Sequence, residues 1–349
     1  MVKIDIGFVE KLDETQRFKL KSKYFPSKVG GKPSWLSLDS LPSTEQLKCD
    51  LCGNQLIYLL QIYAPFENNS NTFHRTLFVF CCNHSKCAKF FKVCRSQLSR
   101  SNRFYDYEPP DYEAEVENVA YDPKPEVFGV KTCAVCGCFS DKLCSGCKSV
   151  SYCCKEHQKF DWKNSHRSIC GKSESTVDSK KSLLFPEYEL IIETEEELET
   201  NTNIENEESE NQRIDEYLKY IKERKPLCQN ENLDSYINCE QSDELFKSFR
   251  KKIASNPDQV IRYYSYDRNV ESFEPLWVNT EKPSSTPNCS NCGSERALEF
   301  QIMPQLLYFV GENSDIDFGI LTVYTCKNSC EPKSSAYIEE FIIKQDFKS

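Results

Sequence analysis

Eight cysteines and histidines between residues 133 and 170 are spaced as metal ligands: Cys133 and Cys136, Cys144 and Cys147, Cys153 and His157, His166 and Cys170. The pairs read C-x2-C, C-x2-C, C-x3-H and H-x3-C. Two tetrahedral zinc ions need eight nitrogen or sulfur donors, and short pairs are how a single chain supplies them. With every position filled by protein there is no place for an activated water, so this chemistry builds a folded module rather than a reactive centre.

A weaker echo lies at the two ends. Cys49-Asp-Leu-Cys52-Gly53 is followed by Leu60-Gln61-Ile62, and Cys289-Ser-Asn-Cys292-Gly293 by Phe300-Gln301-Ile302, at a constant offset of 240. Leu77 to Cys82 then parallels Leu321 to Cys326 at an offset of 244, and each copy closes on a further cysteine, Cys87 or Cys330. A CxxC knuckle, two strands and a second cysteine pair are the parts of a zinc ribbon, and the glycine after each knuckle suits a tight turn around a metal. The expected ligand sets are Cys289, Cys292, Cys326 and Cys330, and Cys49, Cys52, Cys82 and Cys87; the repeat selects Cys82 over Cys81. Cys138 and Cys154 fall outside the pattern as free thiols, and Cys94, Cys228 and Cys239 lack partners at ligand spacing.

The elements that must position these donors follow. Residues 1–108, rich in Phe, Tyr, Leu and Ile, and residues 243–349 are expected to pack as two halves of one pseudo-symmetric antiparallel β domain, with the zinc module 126–172 inserted between them. The fold class is therefore α+β, dominated by antiparallel strands. The stretch 185–192 has strand-like apolar content. Residues 193–212, rich in Glu and Asn, cannot bury enough apolar surface to offset ordering entropy and read as an acidic disordered linker. A short helix is expected over 214–221 and another over 243–254, where Leu245, Phe246, Phe249 and Ile253 share one face. Asn256-Pro257 reads as the N-cap and first residue of a further helix.

Composition limits the function classes. A net charge of −10 argues against generic binding to nucleic acid or to anionic membranes, and no stretch has the apolar length of a signal peptide or a membrane span. Twenty cysteines without a secretory signal point to a reducing compartment and to thiolates rather than disulfides. There is no nucleophile–base pair or phosphate loop, so an enzyme is not expected. Asn83-His84-Ser85-Lys86-Cys87 faintly resembles a motif of SET methyltransferases, but it precedes the zinc module, carries an inserted Lys86 and is followed by no matching tyrosine motif. The loop Phe25 to Leu36 holds Gly30, Gly31 and Trp35; it reads either as a rigid turn with Trp35 as a core plug or as a groove wall with Trp35 as a partner's anchor.

The cluster 133–170, with Tyr152 ahead of Cys153, resembles the MYND zinc finger. That resemblance implies a cross-brace: Cys133, Cys136, Cys153 and His157 on one zinc, Cys144, Cys147, His166 and Cys170 on the other. It also implies a groove for short proline-containing peptides, with Gln158 and Trp162 as contacts. The whole chain resembles the programmed cell death protein 2 family, through Phe25 to Leu36, Gln61 to Phe66, Phe104 to Pro110, Leu298 to Leu306 and Phe341 to Asp346. The resemblance implies a dedicated chaperone, found in cytoplasm and nucleus. Its client would be a newly made small-subunit ribosomal protein (the S-two protein, counterpart of bacterial S-five), and its role would be to support assembly of the small ribosomal subunit. An acidic carrier can screen and steer such a basic client, and exposed strand edges of the β domain could pair with it.

Overall fold

The computed structural model describes residues 4–66, 69–87, 89–110, 122–172, 182–195, 244–264, 274–283, 285–311, 314–333 and 335–347. The strands are β1 (Asp5–Glu10), β2 (Lys28–Val29), β3 (Ile57–Tyr63), β4 (His74–Cys81), β5 (Phe91–Leu98), β8 (Tyr188–Thr194), β9 (Ile261–Tyr263), β10 (Arg296–Ile302), β11 (Ile320–Cys326) and β12 (Tyr337–Gln345). They close into an antiparallel barrel in the order β1-β8-β2-β3-β4-β5-β12-β11-β10-β9. The finger adds the small hairpin β6 (Lys142–Leu143) and β7 (Ser151–Tyr152), then α1 (Lys155–Asp161), a π-turn over Trp162–His166 and the short α2 (Arg167–Ile169). Helix α3 spans Glu244–Ala254. Among the described residues no helix is long and apolar enough to cross a membrane.

The two halves form one domain, as the repeat requires. The meanders β3-β4-β5 and β10-β11-β12 meet at the β5–β12 seam, where Val93 to Ser96 pair with Glu340 to Tyr337. Both copies carry a bulge at the same place, between Tyr58 and Leu60 and between Leu298 and Phe300, 240 residues apart. Alternate residues of β4 face opposite cores. Leu77, Val79 and Cys81 join Val29, Ile62, Val93, Ile261, Phe300 and Val323 inside the barrel, whereas Phe78 and Phe80 pack outside it with Trp35 and the finger cysteines. Because both faces of β4 are covered, the strand reads as a nearly unbroken apolar run.

The repeat reaches further than the cysteines. Gln61 and Gln301, each two residues after its bulge, clamp the backbone of a crossing loop. Gln61 accepts from Ser34 N–H at 2.9 Å and donates to Ser34 C=O at 3.2 Å. Gln301 accepts from Leu276 N–H at 2.8 Å and donates to Leu276 C=O at 2.8 Å. The residues that follow, Trp35-Leu36 and Trp277-Val278, are all buried. Pro33-Ser-Trp-Leu36 and Pro275-Leu-Trp-Val278 are thus copies of one element, too short and too divergent to be seen as a repeat in the sequence.

Three expectations are corrected. The strand edges are not free: closure pairs them, with β1 and β8 completing the circle over Asp5–Thr194 to Glu10–Glu189. Asn256-Pro257 does not start a helix; it forms a turn, and Val260 N–H donates to Gly7 C=O as β9 is drawn between β1 and β10. The acidic linker does not begin at residue 193. Glu193 and Thr194 end β8, and Glu195 pairs with the buried Arg262 at 3.0 and 2.7 Å. The rest of 193–212, the helix expected at 214–221, and Cys228 and Cys239 lie outside the described residues.

Candidate metal centres

Four groups of four donors come together among the described residues, with the donor atoms of each group within 4.8 Å of one another: Cys49, Cys52, Cys82, Cys87; Cys133, Cys136, Cys153, His157; Cys144, Cys147, His166, Cys170; and Cys289, Cys292, Cys326, Cys330. Four copies of one backbone turn make this possible. In each CxxC the residue after the second cysteine turns left-handed (Gly53, Gly137, Lys148, Gly293, φ 57–81°) and donates its N–H back to the first cysteine's carbonyl at 2.8–2.9 Å. Three of the four are glycine, for which this backbone carries no steric cost; Lys148 is the exception.

The spacings fit zinc. Zn–S bonds of ~2.3 Å place tetrahedral sulfurs ~3.8 Å apart, and an imidazole nitrogen sits ~3.5 Å from sulfur. Observed Sγ–Sγ distances are 3.6 Å for Cys49–Cys87 and Cys52–Cys82, 3.6 Å for Cys136–Cys153, 3.9 Å for Cys144–Cys170, 3.8 Å for Cys289–Cys330 and 3.5 Å for Cys292–Cys326. These are far beyond the ~2.05 Å of a disulfide. His157 Nδ1 lies 3.6 and 3.1 Å from Cys133 and Cys153, and His166 Nε2 lies 3.5 and 3.3 Å from Cys147 and Cys144. The finger is therefore cross-braced, one site through Nδ1 and the other through Nε2. Tyr152 is buried, its ring edge-on to His166 and its hydroxyl donating to Asp161 at 2.6 Å.

Local hydrogen bonds prepare thiolates. Those from Ser149 hold Cys147 down at about 5, and those from Ser294 hold Cys292 down at about 6, so each site type offers a thiolate at neutral pH. A four-cysteine zinc site would carry a net charge of −2, and donors meet it at the C-terminal one: Arg95, itself paired with Glu340, reaches Cys330 Sγ at 3.7 Å and its carbonyl at 3.2 Å, while Asn291 Nδ2 donates to the same sulfur at 3.0 Å. Zinc is the ion these donors fit, and when bound it supplies cross-links that hold loops to strands.

The remaining cysteines are sorted by position. Cys81 faces the barrel interior beside the ligand Cys82, and Cys94 is buried on the outer face of β5. Cys154, outside the ligand pattern, caps α1: its sulfur accepts from His157 N–H at 3.4 Å. His84, in the segment resembling the methyltransferase motif, gives its carbonyl to Cys87 N–H at 2.7 Å and so shapes the zinc turn.

Of the residues considered for partner contact, three are taken up internally. Trp35 is 2% exposed, and its indole N–H donates to Gly137 C=O at 2.8 Å. Gly30 and Gly31, both at φ 67°, turn against residues 185–187; an added Cβ would sit 1.9 Å from Pro186 C=O at Gly30 and 2.3 Å from Glu187 Oε1 at Gly31. The Gly-Gly-Trp loop is thus a dock for the chain's own finger and β8 approach, not a groove wall. Gln158 is half-buried, whereas Trp162 on the finger helix is 43% exposed.

Comparison with known proteins agrees with this geometry. Family models match as the N-terminal domain of programmed cell death protein 2 over residues 3–112, its C-terminal putative domain over 243–346, and the MYND finger over 133–170. Programmed cell death protein 2 of rat is 38% identical across 99% of this chain and 97% of its own length, and that of mouse is 39% identical across 98% and 96%. The chain belongs to the programmed cell death protein 2 family. Human programmed cell death protein 2-like is more distant, at 26% identity over 92% of this chain and 90% of its own. No solved structure matches. The matched stretches hold β1 to β5, the finger and β9 to β12, while β8 lies between the finger and the C-terminal stretch.

Proposed function

We propose that this protein is a non-catalytic, zinc-braced carrier of a newly made basic ribosomal protein of the small subunit, the S-two protein, acting in cytoplasm and nucleus in support of subunit assembly. The observation that carries this reading is the closure of all four donor sets, which leaves zinc a scaffolding role, on a chain of net charge −10. A chain of net charge −10 can attract and screen a basic, aggregation-prone client, and its acid-rich stretch 193–212 supplies much of that charge. The family resemblance supplies the identity of the client. Affinity capture of the full-length protein under mild salt tests it, against an unrelated protein of equal charge. Selective enrichment of the S-two protein is expected, and equal recovery with the control rejects the reading.

A second reading is favoured by one observation, the exposed Trp162 on a finger helix beside Gln158. In that reading the finger is an adaptor for proline-containing peptides, for example in transcriptional regulation. Trp162→Ala would then abolish peptide capture with zinc content unchanged; retained capture assigns the finger a structural role.

A further inference from the structure

The finger helix has an outer face that no described element covers. The run from α1 through the π-turn to α2 turns its buried side, with His157 and His166, towards the two zinc sites. Its outer side exposes Lys155, Lys159, Trp162, Lys163 and Arg167. The four cations follow one another at four-residue steps, close to one helical turn, so they form a single stripe with Trp162 in its middle.

Among the described residues no carboxylate pairs with any of these four cations. Other exposed lysines nearby are paired, Lys48 with Glu45 and Lys142 with Asp141. Of the two acids in the run, Asp161 is half-buried and taken up by the Tyr152 hydroxyl, which leaves Glu156. Helix stability does not account for the stripe. Like charges four residues apart repel, and Lys155 is the first residue of α1, where a cation opposes the helix dipole. Over 131–172, eight Lys and Arg stand against three Asp and Glu. The finger therefore stays positive even with one negative charge on each zinc site of three thiolates and one imidazole. Charges elsewhere on the chain are screened beyond about 8 Å at physiological ionic strength, so the local sign decides what docks here.

We infer that this face is a docking strip for an acidic segment of a partner protein, lying extended along the helix with Asp or Glu at every second residue. Four helical residues rise ~6 Å and two extended residues ~6.6 Å, so carboxylates on one side of the segment meet successive cations. Trp162, its ring edge-on to His166 with centroids 5.9 Å apart, is left open for an apolar or proline residue among them. The inference rests on the adaptor reading of the finger for the role of Trp162 only.

The test uses the full-length zinc-loaded protein and three fluorescein-labelled peptides that alternate glutamate, glutamine or lysine with glycine around one central proline. Fluorescence anisotropy should show the glutamate peptide binding about tenfold more tightly than the glutamine peptide, with the lysine peptide weakest. The difference should shrink as salt is raised. Lys159→Glu combined with Lys163→Glu should abolish the preference for glutamate with zinc content unchanged, whereas Lys282→Gln, on the C-terminal half of the barrel, should leave it as it is. The strip is overturned if the glutamate and glutamine peptides bind alike, if the charge-reversed variant keeps the preference, if a single-stranded oligouridylate binds more tightly than the glutamate peptide, or if no peptide binds. Glutamate-peptide binding that survives Trp162→Ala would keep the strip and retire the proline groove. Equal binding of the glutamate and glutamine peptides, lost for both in Trp162→Ala, would keep the adaptor and retire the strip.

Discussion

The two halves of the barrel share a knuckle, a bulge, a glutamine clamp and a buried tryptophan, yet they use the outer face of the sheet differently. On the N-terminal half, Trp35, Phe78 and Phe80 are covered by the zinc finger, which is tied down by Trp35 to Gly137 and by Lys32 Nζ to Ala134 C=O at 2.8 Å. On the C-terminal half, Val278, Met303 and Ile320 are covered by Phe249 and Ile253 of α3. The bulge residue differs too. Leu59 is buried among apolar residues, whereas Glu299, 240 residues later, binds Arg75 through two bonds of 2.8 and 2.9 Å and accepts from Tyr263 at 2.6 Å. One supersecondary unit thus tolerates either cover and either core chemistry, provided its zinc knuckle and its glutamine clamp stay in place.

The largest way to break the comparison is to remove a zinc ligand. A structural zinc site is worth about 10–16 kcal/mol, comparable to a whole domain's ~5–15 kcal/mol. Cys52→Ser or Cys292→Ser should therefore unfold the barrel, seen as loss of the cooperative urea transition. Cys144→Ser breaks the finger site remote from the Gly137 dock, and should release one zinc while the barrel transition persists. Cys133→Ser, in the site that carries Gly137, should also redden tryptophan fluorescence by uncovering Trp35.

The bulge residues give the next test. Glu299→Gln leaves Arg75 buried opposite a neutral partner and should cost about 3–5 kcal/mol in urea denaturation. Arg75→Leu with Glu299→Leu, which makes the second copy resemble the first, should recover most of that loss.

Smaller still is a pH effect on the N-terminal half. Burial, helped by Arg100, holds His74 down at about 4. Its folded form stays neutral while the unfolded chain takes up a proton near ~6.5. The stability from neutral His74 is therefore complete above ~6.5 and is lost as pH falls towards 4. An NMR titration should find the His74 ring uncharged at pH 6. The smallest expected change is a gain: Lys148→Gly relieves the one knuckle with a side chain at positive φ (57°) and should stabilise the finger by up to about 1 kcal/mol, measured as slower zinc loss to a chelator.

Much of this was legible in the sequence because ligand spacing is a short-range constraint. All sixteen donors and a two-half β domain could be read from pairs a few residues apart and from the offsets of 240 and 244, and the cross-brace followed from the resemblance to the MYND finger; the closure of the sheet into a barrel could not. What was not legible depends on distant partners. The helix start at Asn256-Pro257 is a sound local signal overridden by pairing of β9 with β1 and β10. The strand extending to Thr194 looked like linker because nothing local shows that Arg262 receives Glu195. Trp35 could be read as a core plug or as an anchor; only the finger's position decides, since Gly137 is 102 residues away. The Trp277 copy hid because loops of unequal length shift the offset between the halves.

Four closed donor sets, two in the finger and one in each barrel half, are each built to hold one zinc ion. Native mass spectrometry of the full-length protein counts them directly. Four zinc ions are expected, falling to three in Cys144→Ser with the barrel still folded. Two ions, with the cysteines of 49–87 and 289–330 open to alkylation in a folded protein, would contradict this.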